Sequence, residues 1–387
     1  MKECVIVMAK RTPIGKKGGI LRSFEPEKLV SPLIKQIVKE TNINSHDIDD
    51  VIIGNVVGPG GNIARLSALE AELPVTVPGV TIDRQCGSGL EAIHLAARLI
   101  QSGAGDIYLA GGVESTSRAP WKMFKPNSLM EEPEIYSRAP FTPKSYGDPE
   151  MGIAAEHVAQ KYGITREEQD YFALQSHHKA VHSQKTNRFK SEIVPMSVGN
   201  KQLDKDECPR NNSSLEELLK RLPPVFSRDG SVTAGNSCPI NDGAAIALLM
   251  SYEKAKALGV KPLLRFIDAK ASGVDPNLLG IGPIPAVQQL LKRQHLRIDD
   301  IDLVEFNEAF AAQALACIKK LKIDMQKVNI GGGALAIGHP YGASGAILIT
   351  RLCAEMQINP FNKGIATLGI GGGIGLAVLV EGVNYAI

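Results

Sequence analysis

The 387-residue sequence predicts an α/β fold, and three observations support this prediction. Strand-like apolar runs alternate with stretches of helical periodicity at both ends of the chain. A proline-rich, irregular segment interrupts the alternation from about residue 118 to 230. Short patterns from the first part of the chain recur near its end at one constant offset. Alternating strands and helices indicate a mostly parallel sheet with helical cover.

The first strands and the first long helix are predicted from periodicity. Residues 5–7, 51–53 and 107–110 are short apolar runs of the kind that form buried strands. Positions 90, 93, 97 and 100 are apolar at helical spacing and follow a glycine-rich turn. The strand near residues 106–111 is also our candidate for contact across a two-fold axis.

The repeat relates two residues that are far apart in the chain. Residues 48–51 resemble 301–304, and the same offset places 95–99 on 348–352. That offset also places Cys86 on His339. If duplicated halves pack face to face, both residues lie at equivalent strand-to-helix turns and meet. Chance similarity within an α/β chain is the alternative explanation.

Composition excludes several classes of function. The formal net charge is +2, and the cations are dispersed, so a nucleic-acid surface is not expected. No uninterrupted apolar stretch reaches the ~18 residues of a membrane span. The six cysteines have no close pairs, which is typical of reduced cytosolic thiols rather than disulfides or a zinc site. We therefore expect a cytoplasmic protein with no partner nucleic acid, membrane or metal.

Cys86 is the candidate nucleophile. It lies in a glycine-containing turn, residues 83–90, directly before the predicted helix. A helix N-terminus favours the thiolate, which is the nucleophilic form. A small buried cysteine without function is the alternative.

His339 and Asn307 are the other candidates from residue chemistry. His339 lies in a glycine-rich segment, 331–345, where backbone can approach a ligand closely. A neutral imidazole can take the thiol proton. Asn307 ends another strand, and its amide can hold water or donate to an oxyanion. A histidine that caps a loop and an asparagine that satisfies a turn are the alternatives.

These segments resemble the catalytic motifs of thiolases. CGSG at 86–89, NEAF at 307–310 and GHP at 338–340 match three of the family's four motifs, and the resemblance extends over essentially the whole chain. It implies a thiolase fold, with two duplicated βαβαβαββ halves in a five-layered αβαβα arrangement and an inserted loop domain. The resemblance also implies an acyl-CoA:CoA C-acyltransferase with a coenzyme A thioester as substrate and no permanently bound cofactor. A homodimer or homotetramer is expected.

The implied boundaries divide the chain into three parts. Residues 1–117 with 231–262 form the N-terminal half, 118–230 the loop domain, and 263–387 the C-terminal half. The resemblance assigns roles residue by residue only where the motifs match.

In that assignment, Cys86 is the acylated nucleophile and His339 its base. Asn307 positions a water that binds a thioester oxygen together with His339. The backbone amides of Cys86 and Gly371 form a second oxyanion hole.

Three further residues resemble substrate contacts of the family. Arg210 resembles the arginine that packs on the CoA adenine, and Met151 resembles a residue that lines the acyl pocket. Cys238 stands where the family often has a serine that touches the pantetheine.

The fourth motif departs from the family pattern. Thiolases typically have Cys-Ile-Gly-Gly-Gly, whereas this chain begins the motif with Gly369. The absent thiol is the group that moves the α-carbon proton, and loss of a general base commonly costs about 10²–10⁴ in rate. We expect the Gly369→Cys substitution to restore thiolysis, with a positive φ at Gly369 as the steric risk. Two alternatives stay open: a hydrolase or acyl-transfer partner without Claisen activity, and a non-catalytic thioester-binding subunit.

Two other patterns are interpreted as decoys. Residues 331–336 fit part of a dinucleotide fingerprint, but the GHP motif interrupts before a helix can begin. His178 and His182 have a spacing compatible with metal binding, yet polar neighbours indicate a solvated helix face.

Overall fold

A computed structural model describes residues 1–128 and 130–383. Residue 129 of the predicted loop domain and residues 384–387 of the predicted C-terminal half lie outside the described residues. The strands are β1 Cys4–Arg11, β2 Gly15–Lys16, β3 Asp50–Gly54, β4 Val80–Ile82, β5 Ile107–Ser115, β6 Lys122–Phe124, β7 Glu134–Tyr136, β8 Met196–Val198, β9 Lys201–Leu203, β10 Asn241–Ser251, β11 Leu264–Gly273, β12 Leu303–Phe306, β13 Lys363–Ile370 and β14 Ile374–Gly382. The α-helices are α1 Pro26–Thr41, α2 Ile63–Glu70, α3 Ser88–Ser102, α4 Met151–Tyr162, α5 Arg166–Lys185, α6 Leu215–Arg221, α7 Tyr252–Ala257, α8 Pro283–Arg293, α9 Ala311–Leu321, α10 Ala334–Ile337 and α11 Tyr341–Ile358.

The predicted first strands and helix are confirmed. Strands β1, β3 and β5 contain the apolar runs at 5–7, 51–53 and 107–110, and α3 contains the periodic positions 90–100. Their side chains are almost completely buried, which explains why short apolar runs were a sufficient signal.

The central sheet shows the duplication in its strand order. Its ten strands run β12-β13-β14-β11-β1-β10-β5-β3-β4, with β2 paired to β10. From the middle outward, β1-β10-β5-β3-β4 is matched by β11-β14-β13-β12. In the second half, Val328 forms an isolated parallel bridge with Val304 of β12. This bridge occupies the position next to β12 that β4 occupies next to β3 in the first half. Strands β1 and β11, the first of each half, join the halves through two residue pairs.

The expectation of a mostly parallel sheet is wrong. Within the described residues the large sheet has six antiparallel and three parallel pairings. Strands β13 and β14 are joined by a tight turn, and β5 leads to its neighbour β10 through the long insertion rather than through a crossover helix. Two neighbouring strands can be parallel only if a crossover returns the chain to the same end of the sheet. Where the connection is a tight turn or the long insertion, the neighbours are antiparallel, and this occurs at the end of each half.

Helices make five layers with the two halves of the sheet. Helices α1 and α2 cover the outer face of the N-terminal half, and α8 and α9 cover that of the C-terminal half. Helices α3 and α11 pack on each other between the halves and form the largest apolar cluster with the inner faces of the strands. The beginnings of α3 and α11 are consequently held in the interior, where Cys86 and His339 precede them.

The insertion lies between β5 and β10 and carries α4, α5, α6 and two short hairpins. Its helices pack on α9 and α10. A buried ion-pair network also ties it to the sheet: Arg11 of β1 contacts Glu192 at 2.7 Å and Asp206 at 2.7 Å. Burial makes each of these charges dependent on its partner, so the network fixes the insertion against β1 of the N-terminal half, while its helices pack on α9 and α10 of the C-terminal half.

Strand β5 does not offer the two-fold contact that the sequence suggested. It pairs with β10 on one side and β3 on the other, and all nine of its residues are buried. That prediction is wrong because the strand is interior, whereas a pairing surface needs a free edge.

Within the described residues, no helix combines the length and hydropathy needed to cross a bilayer.

Candidate active site

Cys86 lies in a tight turn between β4 and α3. Helix α3 begins at Ser88, two residues after Cys86, as the sequence predicts. Asp83 Oδ1 accepts the Gln85 N–H at 2.7 Å, and Ser88 Oγ accepts the Arg84 N–H at 2.8 Å. Gln85 adopts a left-handed φ of 47°. These contacts hold the turn in a conformation that brings the Cys86 thiol to the inner side of the sheet.

His339 occupies the equivalent turn of the second half. Helix α11 begins at Tyr341, again two residues after the residue of interest. The two helix starts touch: a β-carbon on Gly89 would lie 2.6 Å from the Gly342 carbonyl oxygen. Only glycine permits this close approach of two backbones. The repeat in the sequence therefore corresponds to two equivalent turns that meet.

The imidazole of His339 is buried and oriented by hydrogen bonds. Its Nδ1 lies 2.5 Å from Ser344 Oγ, and that hydroxyl donates to the Pro340 carbonyl oxygen at 3.0 Å. With the Ser344 hydrogen directed at the Pro340 carbonyl, we assign Nδ1 as the donor to Ser344 and leave the lone pair on Nε2. Nε2 faces Asn307 Nδ2 at 3.5 Å. Burial lowers the pKa of His339 to about 4, so the ring is neutral at physiological pH.

The electrostatic state of Cys86 differs from the expectation of a thiolate. Burial raises the pKa of the Cys86 thiol to about 11, and the backbone N–H groups of Gly371 and of Cys86 itself offset this effect only in part. The negative charges of Glu114 and Asp83 raise the pKa further. Desolvation outweighs the helix N-terminus here. The resting pair is therefore a neutral thiol and a neutral imidazole.

Gly371 lies in the turn between β13 and β14, and the ring of Phe141 covers it. A β-carbon on Gly371 would meet the Phe141 ring at 2.7 Å. The Arg138 guanidinium lies over the other side of that ring, 4.6 Å from its centroid, and is held by Asp148 at 3.0 Å. A cavity of about 590 Å³ borders Gly371, Phe141 and the Cys86 turn. The space beside the thiol is thus bounded by a fixed aromatic ring.

The Asn307 loop is built around a buried carboxylate. Asn307 itself is 2% exposed, and its N–H donates to the Thr367 carbonyl of β13. Next to it, Glu308 accepts from Ser176 Oγ at 2.7 Å and from Asn329 Nδ2 at 2.7 Å. Its carboxylate also accepts the Leu335 N–H at 3.2 Å. This network fixes the amide of Asn307 against His339.

The three predicted substrate contacts lie at different distances from the thiol. The Cys238 N–H donates to the Ala309 carbonyl oxygen, which ties Cys238 to the 307–310 loop, and a negative charge on Cys86 would raise the pKa of Cys238 beyond the effect of burial. Arg210 lies farther out in the insertion. It lines a cavity of about 260 Å³ together with Lys16, Ser237 and Leu335.

Met151 is half-buried at the first position of α4. A β-carbon on the adjacent Gly152 would overlap the ring of Phe226. That ring meets Phe310 edge-on at a centroid distance of 6.1 Å. The helix that begins at Met151 therefore packs on the aromatic pair next to the 307–310 loop, and a place for Met151 along the acyl group stays a prediction.

Gly369 stands on β13 two residues before Gly371. It is not among the glycines with positive φ, so the steric risk expected from its conformation is absent. The constraint is a close neighbour instead: a β-carbon there would lie 2.9 Å from the Gly280 carbonyl oxygen and 3.3 Å from Gln313 Nε2. The room left by the missing side chain is thus partly occupied.

Several residues that fix the site were missed by the sequence reasoning. Asn241 Oδ1 accepts the His339 N–H at 2.9 Å, and Glu114 accepts the Gly342 N–H at 3.0 Å at the start of α11. His177, rather than its neighbour His178, is buried, and its Nδ1 accepts the Arg210 N–H at 3.2 Å. No spacing rule identifies such partners, because each is brought in from a distant segment.

His178 and His182 are exposed, as the interpretation of a solvated face predicts.

The family follows from comparison with known sequences. The family profile described as "Thiolase, N-terminal domain" matches residues 4–253, and "Thiolase, C-terminal domain" matches residues 260–382. The chain belongs to the thiolase family.

Relatives of this thiolase align over its full length. It is 51% identical over 383 residues to a Staphylococcus haemolyticus protein named "Putative acetyl-CoA C-acetyltransferase VraB", with 98% of this chain and 99% of the relative covered. A Staphylococcus epidermidis protein of the same name is 49% identical with the same coverage. Among solved structures, the Bacillus anthracis acetyl-CoA acetyltransferase is similar with a TM-score of 0.93, 40% identity and 99% of each chain covered. The thiolase fold inferred from the motifs is therefore confirmed.

Proposed function

We propose that this thiolase is an acyl-CoA:CoA C-acyltransferase that acts through an acyl-enzyme on Cys86. The observation that supports it most directly is that the helix starts following Cys86 and His339 touch at Gly89 and the Gly342 carbonyl oxygen, while His339 Nε2 faces Asn307. The backbone N–H groups of Cys86 and Gly371 would donate to the oxyanion that forms on the thioester carbonyl when the sulfur attacks.

The first half-reaction uses the neutral pair that the structure contains. As the Cys86 sulfur bonds to the thioester carbonyl carbon, its proton moves to His339 Nε2. The negative charge on the carbonyl oxygen is stabilised by the backbone N–H groups of Cys86 and Gly371, while Asn307 positions a water that binds a thioester oxygen together with His339. The C–S bond to CoA then breaks, and His339 returns the proton to the departing sulfur. Because the imidazole is neutral at rest, it can serve first as base and then as acid.

The substrate is proposed to approach from the insertion. The cavity beside Arg210 reaches Ser237, the neighbour of Cys238, and Cys238 is hydrogen-bonded to the loop that carries Asn307. Arg210 would stack on the adenine and Cys238 would contact the pantetheine. Met151 would lie along the acyl group.

Acetyl and acetoacetyl thioesters are the proposed substrates, in thiolysis or condensation. The relatives are named for acetyl transfer. Phe141, held by Arg138, also limits the space next to Gly371, which favours a short acyl chain.

A second candidate is an acyl-transfer partner or hydrolase without Claisen activity. The observation that favours it is Gly369, because the family thiol that moves the α-carbon proton is absent. The two candidates share the Cys86 acyl-enzyme and differ only in the fate of its acyl group.

Exchange of labelled CoA into acetyl-CoA tests the shared step. Exchange should occur in the wild type, be abolished in Cys86→Ala, and fall by about 10²–10⁴ in His339→Ala. Exchange that persists in Cys86→Ala would refute the proposal. Acetoacetyl-CoA thiolysis on the same protein then separates the two candidates.

We also propose that the thiolase associates as a dimer through β4. Within the described residues, β4 pairs with β3 alone, so one edge is free. Exposed apolar side chains surround that edge, namely Leu66, Leu69, Val75 and Val80. A free edge with apolar neighbours is suited to pairing with a second copy. Light scattering should show a dimer that Val80→Lys weakens, and a monomeric wild type at micromolar concentration would contradict this.

A further inference from the structure

Gln313 has an unusual position for a polar side chain. It lies in the first turn of α9 and is 2% exposed. Within the described residues, neither the Nε2 nor the Oε1 atom of its carboxamide has a hydrogen-bond partner. Buried polar atoms in native proteins are nearly always paired with protein or with ordered water, because an unmade hydrogen bond is costly. The carboxamide therefore points to a bound polar group.

The carboxamide is directed at Gly369. Its Nε2 lies 3.3 Å from the position of a β-carbon on Gly369, and the Gly280 carbonyl oxygen lies 2.9 Å from the same position. The side chain of Gln313 packs directly on Gly280, so both polar groups belong to one wall. Gly369 is partly accessible to solvent, although its neighbours Leu368 and Ile370 are 0% and 1% exposed.

Three polar groups converge beside Gly369: Gln313 Nε2, which can donate, and Gln313 Oε1 and the Gly280 carbonyl oxygen, which can accept. Together they can hold one ordered water. A buried water typically makes two to four hydrogen bonds, and a site is plausible only where polar partners converge. A thiol at position 369 would displace such a water. Gly369 has no side chain, so the space between its backbone and the Gln313 carboxamide stays free for the water.

We propose that Gln313 is a positioning residue that holds a water at Gly369, and that this water carries the proton of the α-carbon. The inference rests on the proposed acyltransferase function and adds the group that substitutes for the missing thiol. Gln313 itself exchanges no proton, because a carboxamide is neither a useful acid nor a useful base at physiological pH. It orients the water by accepting from it and donating to it.

The proton balance of thiolysis closes through this water. The Cys86 proton moves to His339 as the sulfur bonds to C3 of the 3-ketoacyl thioester. The C2–C3 bond breaks, and its electron pair forms the enolate of the acetyl thioester. The water gives a proton to C2, and the resulting hydroxide takes the proton from His339. In this half-reaction the thiol proton of Cys86 arrives on the α-carbon and the acyl group stays on Cys86; in the second half CoA takes the acyl group, and the proton of its thiol returns to Cys86 through His339.

Gln313→Met tests the proposal, because it keeps the length of the side chain and removes both polar atoms. Acetoacetyl-CoA thiolysis should fall at least about 10-fold in kcat, whereas exchange of labelled CoA into acetyl-CoA should stay within about 3-fold, since exchange moves no α-carbon proton. Cys317→Ala is the matched control. Its thiol contacts the same Gly280 carbonyl at 3.5 Å from the next turn of α9, and its removal leaves the carboxamide of Gln313 unchanged.

Gln313→Glu provides a second variant, since its buried, protonated carboxyl can still accept and donate. It should retain more thiolysis than Gln313→Met, and the solvent deuterium isotope effect on wild-type thiolysis should exceed that on exchange. Parallel loss of exchange and thiolysis in Gln313→Met, or unchanged thiolysis, would overturn the role of Gln313. Absence of exchange in the wild type would instead refute the proposed acyltransferase itself.

Discussion

The Nδ1 atom of His339 lies 2.5 Å from the Oγ atom of Ser344, and this contact decides which ring nitrogen can act as a base. Ser344 donates its hydrogen to the Pro340 carbonyl oxygen, so it can only accept from the imidazole. The lone pair is thereby placed on Nε2, on the side of Asn307. A serine one turn into α11 thus sets the tautomer on which the proposed mechanism depends.

Replacing Ser344 by alanine should slow acylation without preventing substrate binding. The imidazole then loses its fixed tautomer, and we expect the rate of CoA exchange to fall by about 10²-fold with little change in KM. Thr350→Ala is the matched control, because Thr350 Oγ1 makes the same type of bond to a backbone carbonyl of α11, at 2.9 Å, without contacting His339. Equal rates in the Ser344 variant and its control would contradict the role of Ser344.

The rate of Cys86 acylation should be nearly independent of pH between about 5 and 9. The pKa of His339 is lowered to about 4, so the base is lost only when the pH falls towards that value. The pKa of Cys86 is raised to about 11, so free thiolate contributes only at much higher pH. Stopped-flow exchange across this range checks the expectation. A sigmoidal rise centred between pH 7 and 9 would show that a pre-formed thiolate attacks instead.

Gly369→Cys should combine a gain in chemistry with a loss of stability. The Gly280 carbonyl oxygen lies 2.9 Å from the new β-carbon, so backbone must shift, and overpacking of this kind costs about 1–3 kcal/mol. Gly369→Ala introduces the same β-carbon without a thiol. Denaturant titration should show similar losses in both variants, while only the cysteine variant should gain acetoacetyl-CoA thiolysis. Equal thiolysis in the two variants would contradict a role for a thiol at this position.

Arg210→Ala should weaken CoA binding and leave acylation chemistry intact. Loss of stacking on an aromatic base corresponds to about 1 kcal/mol, or roughly a 5-fold rise in KM. Arg228→Ala is the control, because Arg228 is an exposed arginine elsewhere in the insertion. An unchanged KM in Arg210→Ala would place the adenine elsewhere.

The repeat and the motifs predicted the fold and the meeting of the two halves. Cys86 and His339 precede α3 and α11 at the same distance, which is what an internal duplication requires. Short apolar runs were sufficient to locate β1, β3 and β5, because these strands are buried on both faces.

Other features depend on contacts that no local pattern contains. The high pKa of Cys86 results from burial by distant segments, which outweighs the local effect of the helix start. Antiparallel pairing follows from how each half ends, and the interior position of β5 follows from the return of β10 across the insertion. Gln313 is one polar residue in an apolar helix, and only its place opposite Gly369 makes it informative.

Peptide mass spectrometry after incubation with acetyl-CoA tests the central claim most directly. We expect one added acetyl group, located on the peptide that contains Cys86, and no adduct in Cys86→Ser. All six cysteines are free, and Cys238 is near the same substrate path, so the assay offers competing thiols within one molecule. An acetyl group on Cys238 or Cys317, with Cys86 unmodified, would contradict the account.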